Sequence, residues 1–196
     1  MTYSRTNPSP RYATLVNYSK EMHDNGHFRG IGCWKWRAEI RALVRETDTR
    51  TLLDYGCGDG LQFEAHDSEK LFSKLSVYVE SWAEALGVDR VSGYDPACEP
   101  YAAFPTCTFD GVYCADVLEH CAEEDIPWIV EELFALATKF LFVTIALIPA
   151  KKNLPNGENV HATLKPKAWW LGHFERAAAV HPMVRWRVVF EEGNSK

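Results

Sequence analysis

Paired metal-ligand spacings are missing from this sequence. Its six cysteines (Cys33, Cys57, Cys98, Cys107, Cys114 and Cys121) form no C-x-x-C pair, which excludes the common structural zinc modules and a thioredoxin-like redox pair. Runs of Lys and Arg are lacking too. With a formal net charge of −6, the chain has no basic stripe of the kind a phosphate backbone requires, so no nucleic-acid partner is expected. The longest apolar run, Phe140–Pro149, is about half of the ~20 residues a membrane-spanning helix needs. Met1–Pro10 is polar and has no apolar core like that of a signal peptide. Linkers rich in Pro, Gly and Ser, internal repeats and low-complexity tracts are also absent. These absences lead to the expectation of a cytoplasmic protein in a reducing setting, not inserted in a membrane and with no bound metal. They leave its oligomeric state open.

What is present is enough apolar material for one core: 196 residues, 46% apolar and 13% aromatic, which reads as a single domain. The chain is organised around Leu52-Leu53-Asp54-Tyr55-Gly56-Cys57-Gly58-Asp59-Gly60. This is an apolar strand with an acid near its end, followed by glycines at every second position. Three glycines let the backbone take positive φ and let a ligand approach the main chain closely. In a dinucleotide fingerprint the third glycine comes three residues after the second. Here Leu61 holds that position and Gly60 comes one residue early, which disfavours pyrophosphate binding.

The remaining elements follow from periodicity. Residues 1–10 read as a loose arm. Leu15, Tyr18 and Met22 then mark a short helix stopped by Asn25-Gly26, and a second helix is predicted over 34–45, with Trp36, Ile40, Leu43 and Val44 on one face. After the glycines, Leu71, Leu75, Val79, Trp82, Ala83 and Leu86 keep helical spacing. They predict a crossover helix capped by Asp67 or Ser68 and ended by Gly87. Val88–Tyr94 is the second strand, closed by Asp95-Pro96, which leaves a carboxylate at the strand tip. Residues 97–105 are short and contain proline. Phe109–Ala115 is the next strand and runs into Asp116-Val117-Leu118-Glu119-His120. A helix follows, started by Glu123, Glu124 and Asp125 with Pro127 in its first turn. Phe140–Leu147 is continuously apolar, as a strand buried on both faces is. The polar stretch 149–166 reads as a lid over the site. A helix over 167–180 and a half-exposed edge strand over 183–190 complete the chain. The predicted fold is α/β: a Rossmann-like, doubly wound, mostly parallel sheet with helices on both faces. Residues 1–48 form an N-terminal helical cap, 49–148 the core, 149–166 the lid, and 167–196 the last helix and strand.

The spacing Asp54-x-Gly56-x-Gly58-x-Gly60, the strand end Tyr94-Asp95-Pro96 and the run Phe109–His120 together resemble the small-molecule type of class I S-adenosylmethionine-dependent methyltransferases, over roughly residues 50–150. The resemblance implies that S-adenosyl-L-methionine is the cofactor. Its amino-acid and sulfonium part would lie against Asp54, Gly56, Cys57, Gly58 and Gly60, and its ribose on Asp95 beside Pro96. The transfer centre would lie beside Asp116, Val117 and Leu118. It also implies a sheet abbreviated from the seven strands of that fold, with five clearly present. Methyl transfer to a hydroxyl or amine calls for a base at most, and a histidine suits that task near neutral pH. His161 on the loop, then His120 and His23, are the candidates. The acceptor is expected to be a small polar molecule: a metabolite, sugar or lipid headgroup. A non-catalytic S-adenosylmethionine or nucleoside binder and a nicotinamide-dependent oxidoreductase are the alternatives. The elements that mark base methylation, Asp/Asn-Pro-Pro-aromatic or Pro-Cys, do not occur at the relevant position.

Overall fold

A computed structural model describes residues 2–63, 66–67, 78–79 and 81–193. Five strands form one sheet: β1 (Thr51–Tyr55), β4 (Arg90–Tyr94), β5 (Phe109–Ala115), β6 (Ala137–Ala146) and β7 (Arg185–Glu191). They are ordered β4-β1-β5-β6-β7 and every neighbouring pair is parallel. Adjacent side chains on a strand point to opposite faces, and that alternation builds two cores. Leu53, Val112, Cys114, Leu141 and Val143 pack under α4 (Ile126–Leu136) and α5 (Lys167–Val180), with Ile129, Leu133, Phe134, Trp170 and Phe174 as the helical contribution. Leu52, Tyr113, Phe140 and Phe142 point the other way, to Ile40, Leu43 and Val44 of α2 (Arg37–Glu46) and Trp82 and Leu86 of α3 (Trp82–Leu86). Helices therefore cover both faces, as the doubly wound reading requires. Each fully buried side chain of this kind contributes about 1.5–3 kcal/mol.

From β1 the chain crosses to β4 on one side and then returns past β1 to β5 on the other. The strand order thus reverses between β1 and β5. In an open parallel sheet the carboxyl ends beside such a reversal flank the ligand crevice. The glycine turn leaves β1 there and Asp116 leaves β5 there.

Four local expectations are corrected. The N-terminal arm is pinned: Arg5 pairs with Glu132 through two of its nitrogens, donates to the Tyr94 hydroxyl at 2.7 Å and the Tyr55 hydroxyl at 3.2 Å, and lies 3.7 Å over the Phe104 ring. Ser9 then caps α1 (Pro10–Asp24) and donates through its N–H to Asp125 at 2.9 Å. The second helix is preceded by a 3-10 turn at Ile31–Trp36, so α2 begins at Arg37. The crossover helix is short. Ser81 and Glu84 form a reciprocal capping box at its start and Gly87, with φ +75°, ends it. That box satisfies two backbone donors at once, which fixes the start there. Asp67 and Val79 instead belong to a two-residue antiparallel pair, β2 (His66–Asp67) with β3 (Tyr78–Val79). Ser68, Leu71 and Leu75 lie outside the described residues. Finally, β7 begins at Arg185 and not at Met183; it is the sheet edge, with Arg185 and Arg187 exposed between half-buried neighbours.

Candidate functional site

A cavity of about 630 Å³ lies against the carboxyl ends of β1, β4 and β5, within the range usual for small-molecule sites. Its floor begins with the glycine turn. Gly56, Gly58 and Gly60 have φ of +86°, +62° and +72°, values that only glycine takes without strain. A Cβ on Gly56 would stand 2.3 Å from Val117 Cγ2, and one on Gly58 would stand 2.0 Å from the Phe28 carbonyl oxygen. The close approach that demands these glycines is thus made by the protein's own loops. Gly56 and Gly58 nevertheless also line the cavity, whereas Gly60 lies under Tyr101.

Asp54 sits at the end of β1, almost wholly buried. Gln62 Nε2 donates to it at 2.8 Å, and the Tyr113 hydroxyl lies close enough to favour its charged form. Burial, offset in part by these hydrogen bonds and reinforced by nearby Asp95, pushes its pKa up to about 7. Asp95 ends β4. Its Oδ2 accepts the Gly58 N–H at 3.0 Å and its Oδ1 the Ala97 N–H at 2.9 Å. The aspartate therefore caps its own turn and ties it to the glycine turn, while each oxygen keeps a further lone pair. His23 Nε2 stands 3.7 Å from Asp95 Oδ2, and its Nδ1 is buried with no hydrogen-bond partner among the described residues.

The far wall comes from the end of β5. Asp116 has φ +61°, a left-handed conformation that aspartate tolerates better than most residues, and its N–H donates to Thr144 Oγ1 at 3.0 Å. The turn that follows returns His120 to the same side. Glu119 between them is fully buried. Burial and the adjacent Asp116 carboxylate hold it well above the usual carboxylate range. Burial also lowers His120, to about 4, so its imidazole is neutral at pH 7. Its Nδ1 is buried with no hydrogen-bond partner among the described residues. His161 Nδ1 lies 2.6 Å from the Ile148 carbonyl; a carbonyl only accepts, so Nδ1 carries the hydrogen and Nε2 the lone pair. The two imidazoles meet edge to face at 4.9 Å.

The 149–166 stretch forms the adjoining wall. It folds back on itself through Leu154 N–H to Glu158 O (2.7 Å) and Val160 N–H to Lys152 O (3.2 Å), and Asn159 bonds both ends of the Ala150 peptide. Leu154 and Val160 are buried against Leu15 and Ala122.

Of the residues expected from the sequence, Asp54, Gly56, Gly58, Asp95, Pro96, Asp116, Val117, His23, His120 and His161 all line this one cavity. Cys57, Gly60 and Leu118 lie behind it; Cys57 and Leu118 are fully buried. No family model, curated protein or solved structure gives a significant match to the chain. The functional reading therefore rests on the residues and their geometry.

The sequence did not disclose the roof. Leu15, Val16, Ser19 and His23 of α1, with Phe28 and Gly30 from the following loop, close the cavity from above. The helical period of α1 was visible; that its buried stripe faces a cavity was not. The one available signal was the glycine at 30, whose φ is +79° and whose missing Cβ makes room for the Cys57 carbonyl.

Proposed function

We propose that this chain binds S-adenosyl-L-methionine and methylates a small polar acceptor such as a metabolite, sugar or lipid headgroup. The observation that carries the reading is the single cavity at the β1/β5 reversal, which joins the glycine turn, Asp95, Asp116-Val117 and two histidines from segments far apart in sequence. The residues present suit that cofactor. Asp54 is a buried carboxyl with no cation beside it among the described residues, poised to ionise against the ammonium of an amino-acid moiety. Asp95 has lone pairs left for two ribose hydroxyls. Val117 and Ala115 give an apolar surface beside Gly56.

The cofactor supplies a methyl group already activated on a sulfonium, so the protein's work is alignment and exclusion of water. Leu15, Val16, Phe28 and Ile31 give the cavity an apolar lining on one side, while Lys151 and Lys152 on another suit a polar or anionic acceptor. His161 Nε2 is the lone pair on this wall that can take an acceptor proton. Burial lowers the His120 pKa to about 4, which makes it a weak base.

Thermal unfolding with ligands tests the reading. Cofactor at 100 times its dissociation constant adds about 2.7 kcal/mol of stability. Asp95→Ala should weaken cofactor binding by about 1–3 kcal/mol, the cost of ribose hydroxyls left without a buried partner. A melting temperature raised by NAD(P) and unmoved by S-adenosyl-L-methionine would refute the assignment.

A further inference from the structure

Methyl transfer needs at most one base on the acceptor's side of the cavity, yet three donor groups converge there. We propose that Asp116, His120 and His161 bind a divalent transition-metal ion, with an open coordination position facing the cavity. One ligand atom from each lies within 4.8 Å of the other two, and all three residues line the cavity. The nitrogens are prepared for it. His161 gives its Nδ1 hydrogen to the Ile148 carbonyl, which leaves Nε2 as a lone pair. His120 Nδ1 is buried and has no hydrogen-bond partner among the described residues. Metal-binding histidines are held as His161 is, the second nitrogen donating to a carbonyl that fixes tautomer and ring orientation. A buried imidazole nitrogen with no partner, as at His120, costs free energy, and a cation removes that cost.

The donor set selects the ion. Two imidazoles and one carboxylate suit Zn, Fe, Co or Mn, whereas Mg and Ca prefer all-oxygen sites. Three protein ligands with a vacant position are the arrangement of reactive sites; structural sites are closed with four. Tetrahedral bonds of 2.0–2.1 Å set donors about 3.3 Å apart, so binding draws the three side chains inward from their 4.8 Å spread. His161 is on the wall loop and Asp116 on an exposed turn, so both have room to move.

On the methyl-transfer reading, this ion names the acceptor class: a molecule with a hydroxyl that coordinates the open position. Coordination lowers the hydroxyl's pKa; with the ion bound, His161 Nε2 is a ligand and no longer the base, and the proton leaves to solvent through the cavity mouth. The bound oxygen then forms a bond to the methyl carbon as the carbon–sulfur bond breaks. The electron pair stays on sulfur, which becomes a neutral thioether, and the metal does not change oxidation state.

The test takes the full chain, stripped with a chelator, and titrates it with Co²⁺ and Zn²⁺ alone, following calorimetry and the visible absorption of Co²⁺. One equivalent should bind, with ligand-field bands that Zn²⁺ bleaches. Asp116→Asn and His161→Ala, both near the surface, should each weaken uptake at least 100-fold with circular dichroism unchanged. Absence of stoichiometric uptake, or uptake unaltered in the Asp116→Asn/His161→Ala double variant, overturns the site. Because no cofactor enters this titration, its failure leaves the methyl-transfer reading standing. Metal uptake without any thermal response to S-adenosyl-L-methionine overturns that reading and keeps the metal site. Undiminished methylation after metal removal overturns the hydroxyl assignment.

Discussion

Replacing Asp54 by asparagine probes the electrostatics at the base of the glycine turn. The carboxyl is almost wholly buried. Its neighbours are Gln62, Tyr113 and the acid Asp95, with the Cys33 and Cys57 thiols also facing it, and none of these is cationic. Its folded pKa of about 7 lies above the ordinary 3.8. Below pH 3.8 the group is protonated whether the chain is folded or not. Between the two values the folded protein keeps a proton that the unfolded chain has released, so stability falls by about 1.4 kcal/mol for each pH unit climbed. Across that interval the loss amounts to about 4 kcal/mol, complete once pH has passed through 7. The amide of the Asp54→Asn variant would be neutral throughout and could still accept from Gln62. The variant should therefore match the wild type near pH 4 and exceed it by several kcal/mol at pH 8, a melting-temperature gap of about 8–16 °C for a chain of this size. Urea titrations from pH 4 to 8 on both proteins measure it. Subtracting one curve from the other cancels His120, Glu119 and every other group common to both. Parallel curves, with a difference that does not depend on pH, would refute the assignment of a protonated Asp54. Binding offers a second readout: a cationic ligand group beside Asp54 should expel close to one proton at pH 6 and almost none at pH 9, seen by calorimetry in buffers of different ionisation enthalpy.

Gly56→Ala combines a positive φ with a Cβ that would stand 2.3 Å from Val117 Cγ2, and should cost about 1–3 kcal/mol in chemical denaturation. Adding Val117→Ala should restore only the steric part, and a single variant within about 0.5 kcal/mol of wild type would show that the turn relaxes freely. Arg5→Ala strips Glu132 of its cationic partner, leaving it the Tyr55 hydroxyl, and leaves the Tyr55 and Tyr94 hydroxyls with one donor fewer. As the pair is only partly buried, the expected loss is about 2–3 kcal/mol. An unchanged melting temperature would mean that the arm is held by Ser9 and Asp125 alone.

The parts of the fold legible in the sequence are those whose signal is local. The apolar run at Phe140–Ile145 is buried on both faces because its neighbours in the chain are already apolar. Asp95-Pro96 marks a strand tip because proline ends the ladder. What could not be read is contact across long separations. Arg5 meets Tyr55, Tyr94 and Glu132 at separations of 50, 89 and 127 residues, and nothing in a polar, proline-containing arm announces such partners. Likewise, the histidine pair of the cavity wall joins the turn after β5 to a loop after β6. No spacing rule covers a ligand pair assembled by two different strand ends. The short crossover helix shows the opposite failure: an apolar period continued on paper through Val79, while Ser81 and Glu84 held a stronger start signal three residues apart.

The glycine turn is where legibility and function part. Gly56, Gly58 and Gly60 are each demanded by a side chain or carbonyl of this same protein, at Val117, Phe28 and Tyr101, so a turn of this composition would be needed with or without a ligand. The glycine pattern thus discriminates least between a binding site and a well-packed loop. The groups that folding alone leaves unexplained discriminate better. Among the described residues, a carboxyl buried at Asp54 has no cation beside it, and the Nδ1 atoms of His23 and His120 are buried without hydrogen-bond partners; each of these costs stability in the free protein, and all three residues face the same cavity. Costs gathered on one surface are those that a bound cationic and hydrogen-donating ligand, or an ion, would remove.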